Sequence, residues 1–130
     1  MGQLMLKGNN YSGGGLNNAL TLEKVWENPN TTLEFPSQSI TLDLSEYKKV
    51  GIVIQQTHNT SHMNYLGYSE TIIGMYGTAF SGNHDSPTIA YRGFSTTNKG
   101  VTFNNGHFIY NGGQGTSAQW AIPVAIYGIK

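Results

Sequence analysis

Cysteine is absent from this chain, so neither a disulfide nor a thiolate-held metal contributes to its stability, which must come from packing or from assembly. Charge is scarce too: 11% of the residues are charged, against about a quarter in an ordinary domain. Seven Lys+Arg balance seven Asp+Glu, which removes the electrostatic footprint that nucleic acid or an anionic membrane surface requires. No apolar run approaches the roughly 20 residues of a membrane span, and the first residues lack the basic-then-apolar order of a signal peptide. The chain is therefore expected to be soluble and unprocessed, with no nucleic-acid partner and no membrane insertion. Polarity comes instead from Asn, Gly, Ser, Thr and Tyr, which make a neutral, hydrogen-bonding surface. The 130 residues suit one domain, whose folding hides roughly two-thirds of the chain's area.

Residues 1–15 divide from the rest at Gly13-Gly14-Gly15, a tract too flexible for the interior of a regular element. Leu4 and Leu6 alternate there with Gln3, Met5 and Lys7, as in a short strand that pairs outside its own domain; an ordinary frayed terminus accounts for the segment equally well. Residues 16–130 are punctuated in the manner of an antiparallel β-sandwich of the jelly-roll kind, with about eight short strands and no helix of normal length. Ile40, Leu42 and Leu44 alternate with Thr41 and Asp43, which predicts a strand over 39–44 with one wet face. Lys49 to Gln55 predicts a more fully buried, central strand, and the polar Ser45-Glu46-Tyr47-Lys48 between the two predicts a hairpin. Further strands are expected over 71–76, 88–95, 101–103, 107–110 and 119–129. Asn104-Asn105-Gly106 is a hairpin signal, because these residues tolerate positive φ. Pro123 has no N–H to donate, so the last strand is expected at an edge, facing another subunit, or bulged. Segments 56–68 and 82–86 read as exposed loops.

Residues with catalytic or ligating potential are few. His58 and His62 have the spacing of a helical metal pair, but Asn59-Thr60-Ser61 favours a loop. His84-Asp85 resembles a base with its orienting carboxylate, yet adjacent residues rarely face each other, and Gly82-Asn83 and Ser86-Pro87 mark a turn. Glu23, Glu27, Glu34, Asp43, Glu46, Glu70 and Asp85 show no paired-carboxylate motif. Gly112, Gly113 and Gly115 share only glycine content with a phosphate loop, and the tract reads as a flexible loop. No catalytic residue, metal or cofactor is expected.

Aromatic residues are the class in excess, with eight Tyr, five Phe and two Trp. A tyrosine offers apolar area with only two χ angles to freeze and a hydroxyl that hydrogen-bonds, which suits sugars and protein surfaces alike. Tyr65, Tyr68, Tyr76, Tyr91 and Tyr110 fall in or beside Asn/Gly/Ser-rich segments and are the candidate ligand-binding residues. Covering the core of the sandwich is the competing role for each ring.

Two segments carry a resemblance. Val25-Trp26-Glu27-Asn28-Pro29-Asn30-Thr31, Phe35 and Gln38-Ser39-Ile40-Thr41-Leu42-Asp43-Leu44-Ser45-Glu46-Tyr47 form the first. Val101-Thr102-Phe103, with Ile122-Pro123 and the closing Ile126-Tyr127-Gly128-Ile129-Lys130, forms the second. Together they resemble small structural proteins and tail-fibre or appendage domains of bacteriophages; residues 55–118 agree only at scattered positions. In such a scaffold Trp26 plugs the core and Ile40, Leu42 and Leu44 supply an inner face. The resemblance implies a virion component assembled in the bacterial cytoplasm, in a tail, fibre or head appendage. It further implies a homotrimer, joined to other virion proteins through the N-terminal arm, that touches a host-surface glycan or protein. A purely structural decoration protein and a small glycan-active enzyme are the rival readings.

Overall fold

The computed structural model describes residues 21–59, 65–83, 88–110 and 113–130. Among them are nine strands and no helix: β1 (Leu22–Glu27), β2 (Gln38–Thr41), β3 (Lys49–Thr57), β4 (Leu66–Ile72), β5 (Tyr76–Asn83), β6 (Thr88–Thr97), β7 (Gly100–Tyr110), β8 (Gly113–Thr116) and β9 (Trp120–Ile129). They form two antiparallel sheets. Sheet I has the order β1-β9-β3-β4, and sheet II has the order β2-β7-β6-β5, with β8 in line with β2 along the same side of β7. The expected all-β sandwich is thus present. β1, β2 and β3 step between the sheets in turn, while β5, β6 and β7 follow one another as a meander.

Alternation explains the layering. In β6, Ala90, Arg92, Phe94 and Thr96 are buried while the residues between them are not. They face Val50, Ile52 and Ile54 of β3 and Ile122 and Ile126 of β9, all fully buried. As expected, β3 is central, between β9 and β4. Trp26 lies at the margin of this core, edge-on to Phe35, which in turn stands at 90° to Phe103. Gly67 closes the β4–β5 side: a Cβ there would strike the Phe80 carbonyl oxygen, so only glycine lets the two backbones approach so closely.

Several sequence expectations are corrected. The hairpin between 39–44 and 49–55 does not form, because β2 pairs with β7 in sheet II while β3 pairs with β4 and β9 in sheet I. The chain leaves β2 after Thr41, and the Leu42 and Leu44 amides bond to Lys99 and Asn98 carbonyls. Leu44 drops fully into the core, whereas Ile40 and Leu42 are only partly buried. Asp43 accepts from the Ser45 amide and hydroxyl and so turns the chain across the sandwich. Tyr47, expected to close the hairpin, lies instead over Gly128 and donates to Glu23.

Asn104-Asn105-Gly106 is not a turn either. It is a bulge inside β7: Arg92 pairs with Gly106 and Phe94 with Phe103, so two residues of β7 oppose Gly93 alone. Gly106 is required by contact, not by φ, since a Cβ would strike the Trp120 and Ser117 carbonyls. The strand expected over 71–76 is broken by a turn at Ile73-Gly74-Met75, with Gly74 at φ 100. Segment 56–68 is not all loop, since Gln56 is buried in β3 and residues 66–68 belong to β4, and Gly82 belongs to β5. Pro123 resolves as a bulge within a strand paired on both sides, because Val53 pairs with Ala125 and Ile54 with Pro123. Its freed neighbours are served by Asn28, whose amide and side chain bond to the Val124 and Pro123 carbonyls. The two segments that carry the resemblance therefore meet along β1 and β9. Residues 1–15, His62 and His84-Asp85 lie outside the described residues.

Candidate functional site

The five candidate tyrosines are not brought together. Tyr68 lies on the outer face of sheet I, its ring across Gly51 and its hydroxyl donating to Glu70 at 2.9 Å. Burial, and then Glu70, push its phenol well above the ordinary range. Tyr76, the most exposed large side chain of the five at 85%, stands at the opposite end of β5 from Asn83. Tyr91 points outward from β6. Tyr65 is half-buried just before β4, its carbonyl accepting from Ser81 and Gln56. Tyr110 ends β7.

Register places one end of the sandwich where Thr57, Leu66, Thr88, Tyr110, Gly113 and Trp120 come together. Here Tyr110 stacks on Phe108 (5.3 Å, 18°), and Phe108 packs on Trp120 (4.6 Å), making a column of three rings. The glycine tract expected to be a flexible loop explains the column. Gly113-Gln114-Gly115-Thr116 is strand β8, with Gly113 paired to Tyr110 and Gly115 to Phe108. A Cβ at either glycine would meet the ring opposite, so the missing side chains are the space the rings occupy. Tyr110 remains 48% exposed at the open end of the column.

A second aromatic group lies on the outer face of sheet II. Phe80, Tyr91 and His107 are cross-strand neighbours on β5, β6 and β7. Tyr91 and His107 stack at 4.9 Å and 14°, too close for rings lying flat side by side, so they stand on the sheet with their faces against each other. His107 Nδ1 shares a hydrogen bond with Thr116 Oγ1. Ile89 and Ile109 form the next pair along, both exposed.

Sequence reasoning missed Arg92. Its side chain is fully buried between the sheets, with Nε donating to the Ala121 carbonyl, Nη1 to Asn104 and Nη2 to Trp120 at 2.6–2.8 Å, and its charge stands over the Phe35 ring. Burial lowers its pKa to about 10, which leaves it cationic at neutral pH. The signal was present, since Arg92 alternates in step with Ala90 and Phe94. Its partners come from the β7 bulge and from the start of β9, where Ala121 takes φ 53, so Arg92 pins two irregular backbones together. His58 Nδ1 is buried without a hydrogen-bond partner. Among the described residues no three His, Asp or Glu side chains group as metal ligands.

No family model, curated protein or solved structure matches the chain.

Proposed function

We propose that this chain is a non-enzymatic structural module of a bacteriophage particle, part of a tail, fibre or head appendage, that meets the host surface through the end of the sandwich carrying Tyr110. The single observation behind the contact is the Tyr110–Phe108–Trp120 column, a rigid stack seated on a glycine strand with its outermost ring half-exposed. A ring already held in place loses little entropy on meeting a sugar or a protein side chain. The assignment to a phage particle rests on the residues around Trp26 and at the C-terminus. These build the β1–β9 scaffold. A homotrimer, with the N-terminal arm reaching other virion proteins, completes the reading.

Binding of the purified protein to whole bacterial cells and to their isolated surface polysaccharides tests it. The wild type is expected to bind, and Tyr110→Ala to bind about tenfold or more weakly, the loss of one stacked aromatic contact. Equal binding by the variant rules out this end as the contact. A protein that labels phage particles but binds no cell is a purely structural component, and release of sugar from the polysaccharide makes it an enzyme.

A further inference from the structure

Among the described residues the outer face of sheet II differs from that of sheet I in carrying no charge. Following the register outward from the buried positions, no Asp, Glu, Lys or Arg projects from it among the described residues; Lys99 stands only at its rim, in the β6–β7 turn. Large apolar groups are exposed on it: Phe80 at 53%, Ile89 at 44% and Ile109 at 43%. Charge depletion with aromatic enrichment is the mark of the centre of a protein interface, and a contiguous apolar patch on a sheet face is costly to leave in water.

We infer that this face packs against the same face of another copy of this chain. Three observations select that occupant. Two pairs of polar groups on the face are spent on one another: Ser39 Oγ bonds to Thr102 Oγ1 at 2.8 Å and Thr116 Oγ1 to His107 Nδ1 at 3.0 Å. Such groups can be buried at little cost, but they offer a sugar few free partners, and the upright Tyr91–His107 stack offers it ring edges instead of a flat platform. A face without charge meets its own copy without repulsion, which a self-complementary contact requires. The size also fits. Four strand positions about 4.8 Å apart and roughly 30 Å long cover on the order of 600 Å² in plan, and side-chain relief brings the accessible area close to the roughly 800 Å² per partner of a standard interface. The contact is sheet on sheet, like the interior of the sandwich, and it leaves the Tyr110 end free. It joins two copies about a two-fold axis, so it is a contact separate from the trimer of the phage reading, and it depends on the face alone.

Light scattering of the full chain across a wide concentration range, with Phe80→Glu and Ile109→Glu, is the test. The wild type is expected to show a multiple of the 14.2 kDa protomer mass, and each variant to shift toward the protomer by tenfold or more in dissociation constant. Leu66→Glu, at a still more exposed apolar position on sheet I, is expected to leave the mass unchanged. Circular dichroism and melting confirm that the variants fold; if Phe80→Glu does not, Ile109→Glu, on a different strand of the same face, decides. A wild type at protomer mass throughout overturns the inference, as does an oligomer that both variants leave intact or that Leu66→Glu alone disrupts. Loss of cell binding with the mass unchanged touches only the function proposed above.

Discussion

The two sheets present opposite outer faces. Sheet I and its margins carry the ion pairs of the described residues: Lys24 with Glu27, Lys49 with Glu70, and Lys130 with Glu23 and Glu46. Sheet II presents hydroxyls, rings and aliphatic side chains, and its one charged strand residue, Arg92, is turned inward. Both sheets are built by the same alternation and cover the same core, so the fold does not require the difference. The inner positions specify the sandwich, and the outer positions are free to differ: ion pairs beside exposed Leu66, Tyr68 and Ile72 on sheet I, and, among the described residues, no charge on the outer face of sheet II.

The largest expected effect comes from removing the one charge that sheet II keeps. Arg92→Met preserves volume but leaves the Asn104, Trp120 and Ala121 carbonyls buried without donors, and is expected to cost about 3–5 kcal/mol in chemical unfolding. A loss under about 1 kcal/mol would mean that water replaces the guanidinium and that the bulges do not need it.

The charged side is sharpened by pH. The Tyr47 hydroxyl, and then Lys130, hold the Glu23 carboxyl below its ordinary range, so its contribution to stability is complete above pH 4.5 and disappears as pH falls through the lowered value. Tyr47 is pushed up to about 12, chiefly by donating to Glu23, so its contribution is complete below pH 10.0 and is lost as pH rises through about 12. Ultraviolet titration is expected to show a phenol ionising near 12 that Tyr47→Phe removes, and Glu23→Gln is expected to flatten the acid limb of the stability profile.

The smallest effect is expected at Lys24. Its exposed pair with Glu27 spans 3.4 Å, and Lys24→Ala should change stability by less than about 0.5 kcal/mol and leave the oligomer mass untouched. A larger loss would show that the charges of sheet I do more than keep that face wet.

Much of this architecture was legible in the residues. The buried run of β3 and the strand ending at Ile129 announce themselves, and β6 is legible as β-branched and aromatic enrichment over 88–95, because burying a pleated strand leaves a pattern in the chain itself. The bulge at Pro123 was one of the alternatives a missing N–H allows. What failed were the connections. A polar segment such as Ser45-Glu46-Tyr47-Lys48 is equally suited to a tight hairpin and to a crossing between sheets, and Leu44 chose the crossing by sinking into a core assembled mainly from distant strands. Asn104-Asn105-Gly106 carries turn chemistry, yet Trp120 and Ser117 press on Gly106 from elsewhere in the chain and hold it as a bulge.

The sequence alone determined that the chain makes amphipathic strands, that it spends little charge, and that it is rich in tyrosine, because these are properties of composition and local period. Only the tertiary structure decided which strands pair, that Arg92 sits in the core, that the five tyrosines scatter while Tyr110, Phe108 and Trp120 converge, and that the charges collect on one side. Those outcomes depend on contacts between residues far apart in the chain, and no local pattern encodes which distant partner a strand will meet.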